Sequence, residues 1–135
     1  YTDFEADREQ AALKLADSGF YSVEFIPARN NYPLFREYVI FLYEKGFLIT
    51  FGTEHNAPGK KPLEVFAGEN HKLDDELLRI NYEGACILAA HQYLHATEGS
   101  GYLDEKGRTK KGEKEEFVNL GDRLIRLVNK GLYEK

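Results

Sequence analysis

The sequence predicts an α/β fold in which two parallel strands lie beneath flanking helices and a helical region follows. Three observations predict it. Phe20 to Ile26 and Phe47 to Phe51 are short apolar runs of strand length, rich in aromatic and β-branched residues. A helical pattern with an apolar face separates them, as a βαβ unit requires. From residue 74 onward the periodicity is helical and no further strand run occurs.

Each element follows from local pattern. Residues 4–18 read as a helix with Ala11, Ala12, Leu15 and Ala16 on one stripe and Gly19 as its stop. The strand at 20–26 ends at Pro27, and Ala28-Arg29-Asn30-Asn31 forms a polar loop. Pro33 suits a first helical turn. Phe35, Tyr38, Val39 and Leu42 face one way, and Lys45-Gly46 closes the helix. The continuous apolar run at 47–51 predicts a strand buried on both faces. Residues 53–62 carry Pro58, Gly59 and Pro62 and read as loop, while 63–72 fit either a short strand or a helical turn. Asp74, Asp75 and Glu76 suit the positive end of a long helix running to about residue 97. Residues 102–112 predict a charged connection or small hairpin, and 114–130 an amphipathic helix using Phe117, Leu120, Leu124, Ile125 and Val128.

Composition narrows the function classes. A chain of 135 residues corresponds to about one domain. Net charge is −5 with both signs interleaved, so no basic stripe for nucleic acid is present. The run from Lys106 to Lys114 is broken by acidic residues and reads as a solvated segment. No apolar stretch is long enough to span a membrane. Cys86 is the sole cysteine, which excludes an intrachain disulfide and predicts a reducing, cytoplasmic setting. Within Gly84-Ala85-Cys86-Ile87-Leu88 it reads as a small buried hydrophobe. The sequence begins at Tyr1 and contains no methionine, which predicts a processed, trimmed or partial chain.

Candidate chemistry gathers where the two strands end, since ligands of parallel α/β sheets collect beyond the carboxyl ends of strands. Glu24, Arg29 and Asn30 follow the first strand, and Thr53, Glu54, His55 and Asn56 follow the second. Two carboxylates, an imidazole, a guanidinium and amides on one rim suit a borderline metal ion together with a phosphate. A plain alternative stands beside this reading: Glu54-His55 as an ordinary loop pair, with Glu24 facing solvent or paired to Arg29. His91 and His95 lie four apart on the long helix, but the run His91-Gln92-Tyr93-Leu94-His95 lacks the Glu of zinc helices. It reads first as a satisfied polar face. His71, beside Asn70, reads as an exposed loop residue.

Tyr21-Ser22-Val23-Glu24-Phe25-Ile26-Pro27, then Tyr38, then the stretch from Lys45 through Thr53-Glu54-His55-Asn56 resembles the last two strand–helix units of the PHP (polymerase and histidinol phosphatase) superfamily. There the pattern is G-x-E-V-Y-Y-P, a helix with Tyr, and K-x-G-L-L-x-T-G-G-S-D-x-H-G. The likeness covers about 40 residues. Glu54 matches the family's Asp, whereas His55 is displaced by one position. The family's upstream His-x-His motif has no counterpart in this chain.

The resemblance implies the last βα units of a PHP-like (β/α)7 barrel over 1–62, followed by a helical C-terminal extension packed on it over 63–135. It implies the C-terminal portion of a metal-dependent phosphoesterase, or a degenerate relative serving as a non-catalytic interaction or assembly domain. In the first case Glu54 and His55 are catalytic, and Glu24, Glu54 and His55 hold a divalent ion (Zn, Mn or Fe). Arg29, Asn30 and Asn56 then contact a phosphorylated small molecule. Two parallel strands leave open edges. A strand from 63–67, upstream chain or a second copy is expected to cover them.

Overall fold

The computed structural model describes residues 7–53 and 64–133. It is a mixed α/β structure with a small parallel sheet. Two compact units divide it, Tyr1–Asn81 and Tyr82–Lys135. The 62/63 division expected from sequence falls inside the first unit.

The first unit opens with helix α1 (Arg8–Asp17), capped by Asp7, whose carboxylate accepts from the Glu9 and Gln10 amides at 3.0 and 3.1 Å. That cap satisfies two of the amides a helix start leaves orphaned. Gly19 at φ +79° ends the helix, as its position predicted. Strand β1 (Ser22–Phe25) leads through a 3-10 turn at Pro27–Arg29 into α2 (Tyr32–Glu44) and then β2 (Leu48–Phe51). β1 and β2 pair in parallel, Ser22 with Leu48 through Phe25 with Phe51. The four residues expected on the apolar face of α2 are those it buries: Phe35, Tyr38, Val39 and Leu42. Phe35 is fully buried between Phe25 and Phe51, with ring centroids 5.7 and 5.2 Å away. Burying such a ring stabilises the fold by about 2–3 kcal/mol.

The sheet differs from expectation in two respects. β1 alternates exposed and half-buried residues, and in β2 only Ile49 is fully buried, so this is not a sheet sealed on both faces. With only two strands in this sheet among the described residues, one helical layer suffices to cover the apolar side. The strand expected near 63–67 exists as β3 (Phe66–Ala67), but it pairs antiparallel with β4 (His71–Lys72) and not with the β1–β2 edge. One edge group of β2 is met otherwise: the Phe51 amide donates to Asn81 Oδ1 at 2.8 Å.

The long helix α3 (Asp75–Glu98) starts in the first unit and continues into the second. Leu77 and Ile80 join the first core. In the second unit, Cys86, Ile87 and Ala90 are fully buried, and α4 (Lys114–Tyr133) lies against α3. A Cβ on Gly121 would stand 1.9 Å from the Cys86 carbonyl oxygen, so only glycine permits this approach. The connection between the helices is a hairpin: Leu103 bridges Thr109, and the Asp104 carboxylate accepts from the Lys106 and Arg108 amides at 2.9 Å each. No helix among the described residues is long and apolar enough to cross a membrane.

Candidate functional site

The parallel register brings the carboxyl ends of β1 and β2 to one rim. The Gly52 amide donates to the Phe25 carbonyl at 2.8 Å, extending the ladder one step past the strands. Glu24 folds its side chain over that glycine. A Cβ on Gly52 would sit 2.9 Å from Glu24 Oε1 and 2.9 Å from Ile26 Cδ1. Glycine at 52 therefore lets a carboxylate rest against the backbone where the chain departs toward Thr53. Glu24 is exposed, so this carboxylate faces the rim without a burial penalty. Glu54, His55 and Asn56 lie outside the described residues. Glu24 is thus the one proposed metal ligand that can be placed. Among the described residues no three His, Cys, Asp or Glu side chains cluster to hold an ion.

Two recesses flank Ala28. The first, about 270 Å³, is lined by Gly52, Thr53, Glu64, Val65, Phe66 and Asn70. The second is a polar cleft of about 350 Å³, and the sequence-predicted Arg29 and Asn30 line it together with Tyr32, Glu69 and His71. Arg29 and Asn30 therefore line a different recess from Gly52 and Thr53.

The cleft has two walls, each built by the local sequence. One is the Pro27–Arg29 turn and the start of α2. The Asn30 amide nitrogen donates to the Ile26 carbonyl at 2.8 Å and holds the turn closed. The other wall is the turn Gly68–His71, which the His71 amide closes onto the Gly68 carbonyl. The Gly68 amide donates to the Asn30 carbonyl at 2.9 Å, and a Cβ on Gly68 would meet that oxygen at 2.7 Å. Glycine is required there for the walls to touch. Above that joint the His71 ring stacks on Tyr32, centroids 3.8 Å apart.

Tyr32 connects the cleft to the start of α3. Its hydroxyl donates to Asp74 Oδ2 at 2.8 Å, Arg36 Nε donates to the same oxygen at 2.7 Å, and Arg36 also reaches Glu76 at 2.5 Å. Asp74 Oδ1 accepts from the Leu77 amide at 2.9 Å, which makes it the cap of α3. Partial burial alone would raise the Asp74 carboxyl's pKa. The hydrogen bonds from Leu77, Arg36 and Tyr32 outweigh it and hold the group below the usual 3.8. Burial, followed by the Asp74 bond, pushes the Tyr32 hydroxyl above 10.0.

Sequence reasoning missed this second wall. Its signal in the sequence was weak, the turn-favouring residues Gly68 and Asn70; in the structure Glu69 and Asn70 both adopt φ +59°. Asparagine is often found in that left-handed region and glutamate seldom is. A glutamate held there costs about 1 kcal/mol relative to glycine.

The histidine pair on α3 serves the fold. The His91 and His95 rings are parallel, 5.9 Å apart, and His91 Nδ1 accepts the Tyr102 amide at 2.9 Å. Its ring presses on Gly101, where a Cβ would stand 2.4 Å from Nδ1. His91 thus pins the start of the hairpin.

No protein-family model, curated protein or solved structure matches the chain. The class that stands is the structural one, a mixed α/β chain whose parallel strand pair ends at a polar rim.

Proposed function

We propose that the chain contributes the strand-end portion of a metal-dependent phosphoesterase site of PHP type, acting on a phosphorylated small molecule. The observation that carries this reading is the Glu24 carboxylate resting on Gly52, at the joint carboxyl end of two parallel strands. The segment that leaves this point holds Glu54, His55 and Asn56. Glu24, Glu54 and His55 would hold a divalent ion, and an oxygen–nitrogen donor set of this kind suits Zn, Mn or Fe. Such an ion lowers the pKa of water and polarises a phosphoryl oxygen.

The chain's own residues supply the rest. Arg29, in the neighbouring cleft that shares Ala28 with the rim recess, presents a planar fork that matches phosphate oxygens. Asn30 and Asn56 offer amide donors. Gly52 keeps the rim open beside Glu24. Among the described residues no third strand joins β1 and β2, and upstream chain or a second copy fits the sheet edge.

The test is metal content together with hydrolysis of an aryl phosphate, comparing wild type with the double variant Glu54→Ala/His55→Ala. The expected result is loss of bound metal and a fall in rate of about a hundredfold or more. Unchanged metal and unchanged hydrolysis would sink the proposal. A folded, metal-free, inactive wild type that self-associates would mark the other reading, an assembly domain. In that reading Tyr82 and Tyr93, exposed on the part of α3 that lies in the second unit, supply the surface.

A further inference from the structure

We propose that the cleft between the Pro27–Arg29 turn and the Gly68–His71 turn binds the polyhydroxylated part of the ligand, a sugar or sugar-like group, with Glu69 accepting its hydroxyls. The phosphate end of this ligand rests on the phosphoesterase reading. The hydroxyl end rests on the cleft alone.

The charge pattern of the lining selects the class. Arg29 and Glu69 line the same cleft of about 350 Å³ with Asn30, Tyr32 and His71. A phosphate on Arg29 leaves the Glu69 carboxylate to a group that donates hydrogen bonds, while Asn30 adds an amide. A neutral group with several hydroxyls suits that mixed lining, because each hydroxyl donates and accepts. The volume lies at the small end of ligand sites, the size of a single sugar and not of a polymer. The stacked His71 and Tyr32 rings add a flat aromatic wall for the C–H face of a sugar ring. Sites that bind hydroxyls through placed polar groups discriminate strongly against analogues lacking them.

The backbone gives an independent reason to single out Glu69. A turn with φ +59° at both central residues favours Asn and Gly at those places. Glycine at 69 would hold the turn with less strain. What glutamate adds is a carboxylate on the cleft, carried by a turn joined to the opposite wall through the Gly68–Asn30 bond. Strain retained at a cleft points from conformation to function.

The experiment titrates the protein with D-ribose, D-ribose 5-phosphate and methyl phosphate, following backbone amide resonances. Ribose and ribose 5-phosphate are expected to shift the Gly68–His71 amides, with ribose 5-phosphate binding about tenfold tighter than methyl phosphate. Glu69→Gln should reduce that preference to about twofold without weakening methyl phosphate binding. Glu69→Gly should lose the same preference while its melting temperature stays equal or rises, which a purely structural role for the side chain would not produce. Equal binding of the two phosphates, no ribose shift at 68–71, or an intact preference in either variant overturns the proposal. If hydrolysis and methyl phosphate binding are absent yet ribose still binds in a Glu69-dependent way, the phosphoesterase reading falls and the sugar cleft stands.

Discussion

Each of the two compact units is held together internally, and the means differ. In the first, segments far apart in sequence are joined by polar contacts: Asn30 to Gly68, Tyr32 and Arg36 to Asp74, Phe51 to Asn81. In the second, two helices meet backbone to backbone at Cys86 and Gly121, and polar pairs such as Tyr82–Asp122 lie around that contact. The first arrangement positions loops at the cost of many directional bonds, each worth about 1 kcal/mol net. The second includes a contact that depends on a single steric condition, the absence of a side chain at Gly121. A unit of the first kind can carry a rim of functional groups, since losing one bond leaves the others in place. A unit of the second kind is a support with little tolerance for added volume.

Three changes test that contrast, beginning with the largest effect. Gly121→Val should destabilise the chain by about 3 kcal/mol or more, because its side chain would collide with backbone that cannot rotate away. Denaturant unfolding measures it, and a loss under 1 kcal/mol would show that the helix contact is adaptable. Asp74→Ala removes a helix cap and two further hydrogen bonds, and should cost about 2 kcal/mol near neutral pH. The Asp74 pKa is held below 3.8 in the folded chain, so its contribution is complete above that value and is lost as pH falls through the folded value. The advantage of wild type over the variant should therefore shrink on acidification below about pH 4; a constant difference would refute the assignment.

The smallest effect belongs to Tyr82. The Asp122 hydrogen bond, aided by burial, pushes its hydroxyl up to about 12 from 10.0. Because the folded value is raised, the contribution is present below pH 10 and fades as pH rises toward 12. Tyr82→Phe should flatten stability against pH over that window and remove the last component of a tyrosinate titration. A wild-type titration in which every tyrosine ionises near 10 would discard this pairing.

Local pattern made most elements legible in the sequence. The four buried residues of α2 recur at helical spacing, Gly19 and Gly46 take the positive φ that a helix stop favours, and the hairpin around Asp104–Gly107 was one of the two forms expected for its segment. The parallel pairing followed from strand–helix–strand order. The cleft's second wall did not follow. Phe66 and Ala67 form a strand too short for any periodicity, and the Tyr32–Asp74 bond joins residues 42 apart. Contacts of that span depend on how the chain returns, which local propensity does not encode. Glu24 beside Gly52 lies between these cases: the parallel order placed both at one rim, while the fold of the carboxylate over the glycine needed three-dimensional structure.

The close meeting of α3 and α4 has a practical consequence for measuring this protein. Cys86 is fully buried in that contact, and burial pushes its thiol above 9.0. A thiol reagent can reach it only when the helices part, since a buried, protonated sulfur is unreactive. The chain's single cysteine therefore works as an internal clock. Its rate of labelling under native conditions reports how often the helix pair opens, with no other thiol to obscure the signal.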